Sequence, residues 1–584
     1  MSEKTTSKAT ATKDLTANVQ RLLEALSRQK SIEPLKQLFW SELNYERANQ
    51  PLSYRDWPEQ TANVLYEAPL LFATGGIDDS FRIIYIRMAY DQLSLTNERL
   101  VVTRLLKDHL YALFIFSNKS QDKWHFLNSK PDDKRLIFRR ISVGPEERLR
   151  TASEQLAVLD LKPISLNRSE YSGPGIQQLH DKAFDVEAVT EKFFKQYHAV
   201  FKRVEQLIQG FADDESKRFF TQRLFNRLMF IAFIQKKGWL KFNGQTDYLT
   251  ALWNAYKQNS STENNFYADR LDYLFFSGLN TDNYVNIVDI NRNGFLQKII
   301  GDVPYLNGGL FEKDGQDDNP ALSVPDECIE AILHELFDRF NFTVTESTPL
   351  DIEVAVDPEM LGKVFEELVT GRHETGSYYT PKPVVSFMCR EALKGYLQTK
   401  LPGEALAAIE QFVDEHNPQG LHNPEAALDA LRRVKVCDPA CGSGAYLLGM
   451  LHELLDLRTC LFATRQLDSI SVYERKLEII QNNVYGVDID PFATNIARLR
   501  LWLSLVVDFE GAKPLPLPNL DFKIEAGDSL TAPDPQGTIN PAFRDDVVRQ
   551  FREKKDAYIK AHLHGEKKTL KTLLTNERNT GMVQ

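Results

Sequence analysis

The apolar positions change period along the chain. Phe81-Arg82-Ile83-Ile84-Tyr85-Ile86 is β-branched and aromatic and predicts a buried strand. Leu95 to Leu110 reads as a helix, and Tyr111-Ala112-Leu113-Phe114-Ile115-Phe116 as a second buried strand. Two shorter strands are expected around Trp124 to Leu127 and Leu136 to Ile141. From Val186 to about Leu240 the pattern turns helical. Phe194, Tyr197, Phe201, Val204 and Ile208 recur at helical spacing, and Phe220, Leu224, Leu228 and Ile231 mark a second helix. These aromatics predict a helical core rather than a base-stacking platform.

Asp160 to Gln178 holds Pro163, Gly173, Pro174 and Gly175 and marks a domain boundary. The patterns divide the chain into a polar, disordered lead (1–14), a mixed α/β module (15–160) and a helical domain (180–345). Loops at Asn307-Gly308-Gly309 and Asp314 to Asn319 interrupt the helical domain, and a third region, 357–584, follows.

A chain of 584 residues is too long for one ordinary core, and 42% hydrophobic with 26% charged residues is the balance of a soluble globular protein. The longest strongly apolar run, Leu228 to Ile234, falls far short of the roughly 20 residues that span a bilayer, so no membrane partner is expected. Met1 to Lys13 lacks the apolar core of a signal peptide. Cys328, Cys389, Cys437, Cys441 and Cys460 contain no C-x-x-C pair, which argues against a disulfide scaffold or a structural metal site and for the cytoplasm. A net charge of -11 argues against a generic nucleic-acid coat but leaves room for a local basic groove.

The most informative string is Val434-Lys435-Val436-Cys437-Asp438-Pro439-Ala440-Cys441-Gly442-Ser443-Gly444, followed by a helical stretch from Tyr446 to Leu457. A strand running into a glycine turn and then a helix predicts the first βα unit of a doubly wound sheet, where ligands bind at the carboxyl ends of strands. Val484-Tyr485-Gly486-Val487-Asp488-Ile489-Asp490-Pro491 reads as a second strand ending in acids, and Asp488 and Asp490 both suit ribose hydroxyls. Ala526-Gly527-Asp528-Ser529-Leu530 closes a third strand, with Asp528 placed to accept from an exocyclic amine. Upstream, Tyr378-Tyr379-Thr380-Pro381 leads into a helix from Val384 to Leu397, where Thr-Pro is expected to cap the helix start.

Together these residues resemble the gamma-class adenine-N6 DNA methyltransferases, with motifs in the order X, I, II, III, IV. The match is closest to the large fused enzymes of type IIG restriction-modification and BREX-type phage defence. Tyr305 to Phe311 and Asp357 to Gly362 look like those families' approach to motif X. The resemblance implies an α/β chain whose third region is a Rossmann-like, doubly wound methyltransferase domain, incomplete at its C-terminus. It implies S-adenosylmethionine as cofactor, held by motif X (Tyr379, Thr380, Pro381), motif I (Asp438, Pro439, Ala440, Cys441, Gly442, Gly444), motif II (Asp488, Ile489) and motif III (Asp528, Ser529).

The family's catalytic motif, (Asn/Asp/Ser)-Pro-Pro-(Tyr/Phe/Trp), holds a flipped-out adenine. The sequence contains no Pro-Pro pair. Asn540-Pro541-Ala542-Phe543 is the nearest candidate, but it follows a polar turn and leads into a helix, Ala542 to Ile559, so a turn and helix start is the expectation. Residues 540–575 resemble a helical insertion between motifs III and IV. From Arg544 to Lys571 nine Lys/Arg stand against five acids, a run that suits a phosphate backbone or a solvated face. The expected partners are double-stranded DNA and a second polypeptide carrying motif IV and target recognition, unless motif IV lies in a missing C-terminal part of a truncated product. The alternative is a non-catalytic, cofactor-responsive DNA-binding or assembly module of phage defence. Strand, helix, strand in the N-terminal module resembles the core of PD-(D/E)xK nucleases. No acid-x-Lys pair sits on the Phe81 strand, where Arg87 and Met88 stand, so a structural or recognition relic is expected and Asp78 or Asp79 would be the acids to test.

Overall fold

The computed structural model describes residues 2–132, 135–259, 265–282, 284–287, 289, 291–306, 309–313, 315–343, 351–358, 360–362, 380–463, 471–509, 511, 514–531, 541–560 and 569–574. The fold is α/β. Its contacts group into two compact units, 1–197 with 331–357, and 198–330 with 358–584.

The first unit is built on a sheet in the order β1 (Glu46–Pro51), β2 (Leu70–Gly75), β3 (Phe81–Arg87), β4 (Ala112–Ser117), β5 (Trp124–Asp132), β6 (Arg135–Val143), β7 (Asp351–Glu353). Two long helices are α1 (Ser2–Gln29) and α2 (Leu95–Leu105). The β3–β4 pair is parallel, with α2 as the crossover, and the β6–β7 pair is parallel as well. Successive residues of β3 serve opposite faces. Phe81, Ile83 and Tyr85 pack in one core with Val19, Leu22, Leu23 and Leu26 of α1, while Ile84 and Ile86 pack in another with Val101, Val102 and Leu105 of α2. A strand buried on both faces reads as a continuous apolar run, which is how β3 and β4 stand out in the sequence.

α1 takes in residues 2–14 at its start. Val19, Leu22, Leu23 and Leu26 form the buried stripe of this helix. The 331–357 segment belongs to this unit through β7, which pairs Phe138 with Asp351 and Arg140 with Glu353. Glu353 accepts from Ser142 Oγ at 2.7 Å and Thr343 Oγ1 at 2.6 Å and lies 3.6 Å from Arg140. Burial works to raise its pKa, but Arg140 and the two hydroxyls outweigh burial and hold it below the ordinary glutamate value.

In the second unit the helices α3 (Val186–Leu207, its last turns) and α4 (Asp214–Gln235) precede α5 (Lys382–Lys400), α6 (Ala445–Ala463), α7 (Val472–Asn482), α8 (Pro491–Asp508) and α9 (Pro541–Lys560). A parallel sheet runs in the order β10 (Ile524–Ala526), β9 (Val484–Asp488), β8 (Val436–Asp438). Its register pairs Val436 with Val484 and Ile524 with Gly486. The three strands stand in reverse sequence order, joined through α6–α7 and α8, the winding of a doubly wound α/β unit. The helical segment 198–330 does not stand apart as its own unit. Gln222 Nε2 of α4 donates to Phe492 O of α8 at 3.1 Å, and the Arg218 guanidinium lies 5.5 Å from the Phe492 ring. Arg227, buried in α4, forks onto Asp317 at 2.8 and 2.9 Å and fixes the Leu310 and Glu312 carbonyls. No helix among the described residues is long and apolar enough to cross a membrane.

Candidate cofactor site

The site begins where β8 stops. Asp438 Oδ1 accepts from the N–H of Ala440 at 3.1 Å, which starts the turn that Pro439 enforces. Gly442 and Gly444 take φ of +52° and +83°, a region that side chains rarely adopt. Gly444 also needs to be small, because a Cβ there would lie 2.9 Å from that of Ala497 on α8. The turn is stitched to β9 by the N–H of Cys441, which donates to Val487 O at 2.9 Å. Cys441 is buried and packs on Gly486, where a Cβ would stand 3.0 Å from its sulfur.

The two acids after β9 divide the work. Asp490 caps α8, with its Oδ1 accepting from the N–H of Phe492 at 2.8 Å. Asp488 instead faces the glycine turn: its Oδ2 accepts from the N–H of Gly442 at 2.8 Å, and its Oδ1 from the N–H of Asp490 at 2.9 Å. Ile489 between them is 75% exposed. The third strand tip closes on the other two. The N–H of Gly527 donates to Asp488 O at 2.8 Å, and Ser529 Oγ donates to Pro439 O at 2.8 Å. Asp528 turns its carboxylate into its own loop, accepting from the N–H groups of Leu530 and Thr531 at 2.9 and 3.1 Å. The Thr531 hydroxyl and these N–H groups lower the pKa of Asp528, which is fully exposed.

Carboxylates crowd this end of the sheet. Burial, and then the charge of Asp488, raises the pKa of Asp438, and the same two causes raise Asp490. Such a site suits a cationic ligand bearing hydroxyls. The structure thus joins Asp438, Pro439, Ala440, Cys441, Gly442, Gly444, Asp488 and Ser529 by direct hydrogen bonds or packing, with Ile489 and Asp528 at their edge.

Motif X is less direct. Pro381, not Thr380, is the capping residue of α5, it makes no side-chain cap bond, and Pro383 occupies the first turn. The expected Thr380 cap fails because Lys382, one residue later than a Thr cap requires, opens the helix. The start of α5 lies along α6: Cys389 Sγ approaches Tyr446 O at 3.8 Å, and a Cβ on Gly449 would stand 2.3 Å from Val385. Tyr379 and Asn540 lie outside the described residues. From the basic run, Lys571 is bound to Asp521 at 2.8 Å and Glu312 at 2.7 Å, and Tyr558 OH donates to Asp521 at 2.6 Å. These contacts dock the segment on the sheet, a role that charge counting does not reveal. Among the described residues no cluster of His, Cys, Asp and Glu is arranged to hold a metal.

Comparison with known proteins falls on the same segment. Residues 415–512 match the model of the MmeI DNA-methyltransferase domain, and residues 482–580 that of the Eco57I restriction-modification methylase. A Methanocaldococcus jannaschii protein assigned as a type II restriction enzyme and methyltransferase is 30% identical over 377 residues, covering 61% of this chain and 31% of that one. The adenine-specific methyltransferase PglX of Streptomyces coelicolor is 29% identical over 157 residues, covering 26% of this chain and 12% of its own length. The DNA complex of the type IIL restriction-modification enzyme MmeI overlays with 18% identity and a TM-score of 0.37, covering 63% of this chain and 46% of that one, too low a score to add to the fold. The chain spans under a third of the length of these curated relatives. Over residues 415–580, which hold all three strand tips and the glycine turn, the chain is similar to the DNA-methyltransferase domains of restriction-modification enzymes.

Proposed function

We propose that the tips of β8, β9 and β10 bind S-adenosylmethionine, and that the chain is the cofactor-binding part of a site-specific adenine-N6 DNA methyltransferase of a restriction-modification or phage-defence system. The observation that carries this reading is the meeting of the glycine turn with Asp488 and Ser529, in the segment that matches methyltransferase domains. The ligand fits the chemistry of the site. Its sulfonium and ammonium groups suit the crowded Asp438, Asp488 and Asp490, its ribose offers donors to carboxylates, and the glycines let backbone approach it closely.

When bound, the cofactor supplies an activated methyl group. The chain's own part is orientation: Asp488 keeps the turn and the start of α8 in one geometry, and Gly444 lets the turn lie on α8, so that the ligand meets preorganised donors and acceptors. In this proposal the adenine-holding motif comes from a further C-terminal part or from a partner chain, since these 584 residues contain no Pro-Pro pair. Double-stranded DNA is the substrate. The same lack of Pro-Pro favours one competing reading, a non-catalytic module that binds cofactor and DNA. A methyl-transfer assay on adenine-containing duplex, with and without a C-terminal extension or partner chain bearing an Asn-Pro-Pro-Tyr-like motif, separates the two. Transfer only when that motif is supplied supports a methyltransferase completed by a further segment or a partner chain, and Asn540→Ala leaves that transfer intact. No transfer under either condition, with cofactor bound, supports the non-catalytic module.

A further inference from the structure

Arg500 lies on α8, three residues beyond Ala497, and is 3% exposed. Its Nη1 donates to Ser443 O at 2.8 Å and to Ser443 Oγ at 3.1 Å. Gly362 presses on the same guanidinium from outside the helix, since a Cβ there would stand 2.4 Å from Nη1 and 2.5 Å from Cζ. Burying a guanidinium is costly unless hydrogen bonds compensate it. Two of those bonds go to Ser443 in the glycine turn, one to its carbonyl and one to its hydroxyl. The Ser443 carbonyl sits between Gly442 and Gly444, both at positive φ and both without a side chain to restrain them. Fixing that carbonyl, with the Gly444 N–H held by Cys441 O at 2.8 Å, fixes the Ser443–Gly444 peptide plane that leads into the second glycine. Ala497, one helical turn earlier, supports Gly444 from beneath, and α8 itself starts from the Asp490 cap. One helix thereby ties the turn after β8 to the tip of β9.

We propose that Arg500 is a positioning residue for the cofactor site: it holds the Ser443–Gly444 peptide in its binding conformation without touching the ligand. The proposal rests on the reading of the strand tips as an S-adenosylmethionine site. A planar fork of donors wedged between Gly362 and Ser443 is not replaceable by the point charge of lysine.

The test uses the full chain carrying Arg500→Lys or Gly362→Ala, the second variant disturbing the guanidinium from its other side. Three quantities are measured: thermal melting, hydrogen exchange of the 438–447 segment without ligand, and S-adenosylmethionine affinity by calorimetry. Both variants are expected to fold, with amides of the turn exchanging about tenfold faster and affinity falling about tenfold to a hundredfold. Exchange elsewhere stays unchanged, which a general loss of stability would not allow. A folded variant with wild-type exchange in the turn and wild-type affinity overturns the proposal. Should Arg500→Lys fail to fold, Gly362→Ala carries the same test. If wild type binds no S-adenosylmethionine, the cofactor reading fails, while the exchange difference still decides whether Arg500 holds the turn.

Discussion

Asp488 Oδ2 accepts from the backbone N–H of Gly442 at 2.8 Å, across 46 residues of sequence. This bond makes the acid at the tip of β9 a fastener for the glycine turn as well as a candidate ligand contact. Asp488→Asn keeps the shape, but its one amide oxygen can serve only one of the two N–H groups, and its NH2 faces the other. It is expected to lower S-adenosylmethionine affinity by about tenfold to a hundredfold, the size of one or two charge-assisted hydrogen bonds. Calorimetry on the folded variant checks it, and unchanged affinity would remove Asp488 from the site.

Gly444→Ala places a methyl 2.9 Å from Ala497 Cβ, at a φ of +83°. The clash and the strained backbone together are expected to cost about 1–3 kcal/mol of stability. Cofactor affinity should fall further than melting does, because the turn can escape the clash only by lifting off α8. A thermal melt and a ligand titration on the same preparation separate the two effects.

The pH dependence of binding has a defined sign. Asp438 and Asp490 have raised pKa values in the ligand-free protein, through burial and the charge of Asp488. For stability, a carboxylate raised on folding costs the folded state free energy as pH climbs from the unfolded pKa through the folded one. A cationic ligand favours the ionised forms and relieves this cost. Affinity is therefore expected to rise with pH across that window and then level, with protons released on binding. Titrations in buffers of different ionisation enthalpy measure the release, and proton uptake would refute the electrostatic account.

In the first unit the prediction concerns stability. Glu353→Gln keeps the hydrogen-bonding shape but leaves Arg140 with less compensation, for an expected loss of about 3–5 kcal/mol. Because the Glu353 pKa is depressed, its contribution is fully present above the unfolded pKa and is lost as pH falls through the folded value. Melting of wild type and variant should converge in acid, and parallel melting curves across pH would show that the charge is not what matters.

The sequence makes local features plain and long-range ones obscure. Asp438 to Gly444 announces a strand, a turn and a helix, because glycines and proline constrain the backbone wherever the chain goes. The apolar runs of β3 and β4 are legible because both faces are buried. β7 is three residues long and pairs with a strand some two hundred residues earlier, so no local pattern marks it. Asp488 and Asp490 look alike in sequence, and only the start of α8 decides that one caps a helix while the other reaches Gly442. Arg500 gives no signal at all, because an arginine on a helix normally faces solvent. Its partner Ser443 is close only once α8 has folded back along β8's turn.

The most direct measurement is a calorimetric titration of the full chain with S-adenosylmethionine, run beside Asp438→Ala. The account predicts saturable one-to-one binding by wild type, and a variant that melts like wild type yet binds nothing measurable. A folded wild-type chain that gives no binding heat and no ligand-induced rise in melting temperature would contradict it. So would a variant that binds as tightly as wild type.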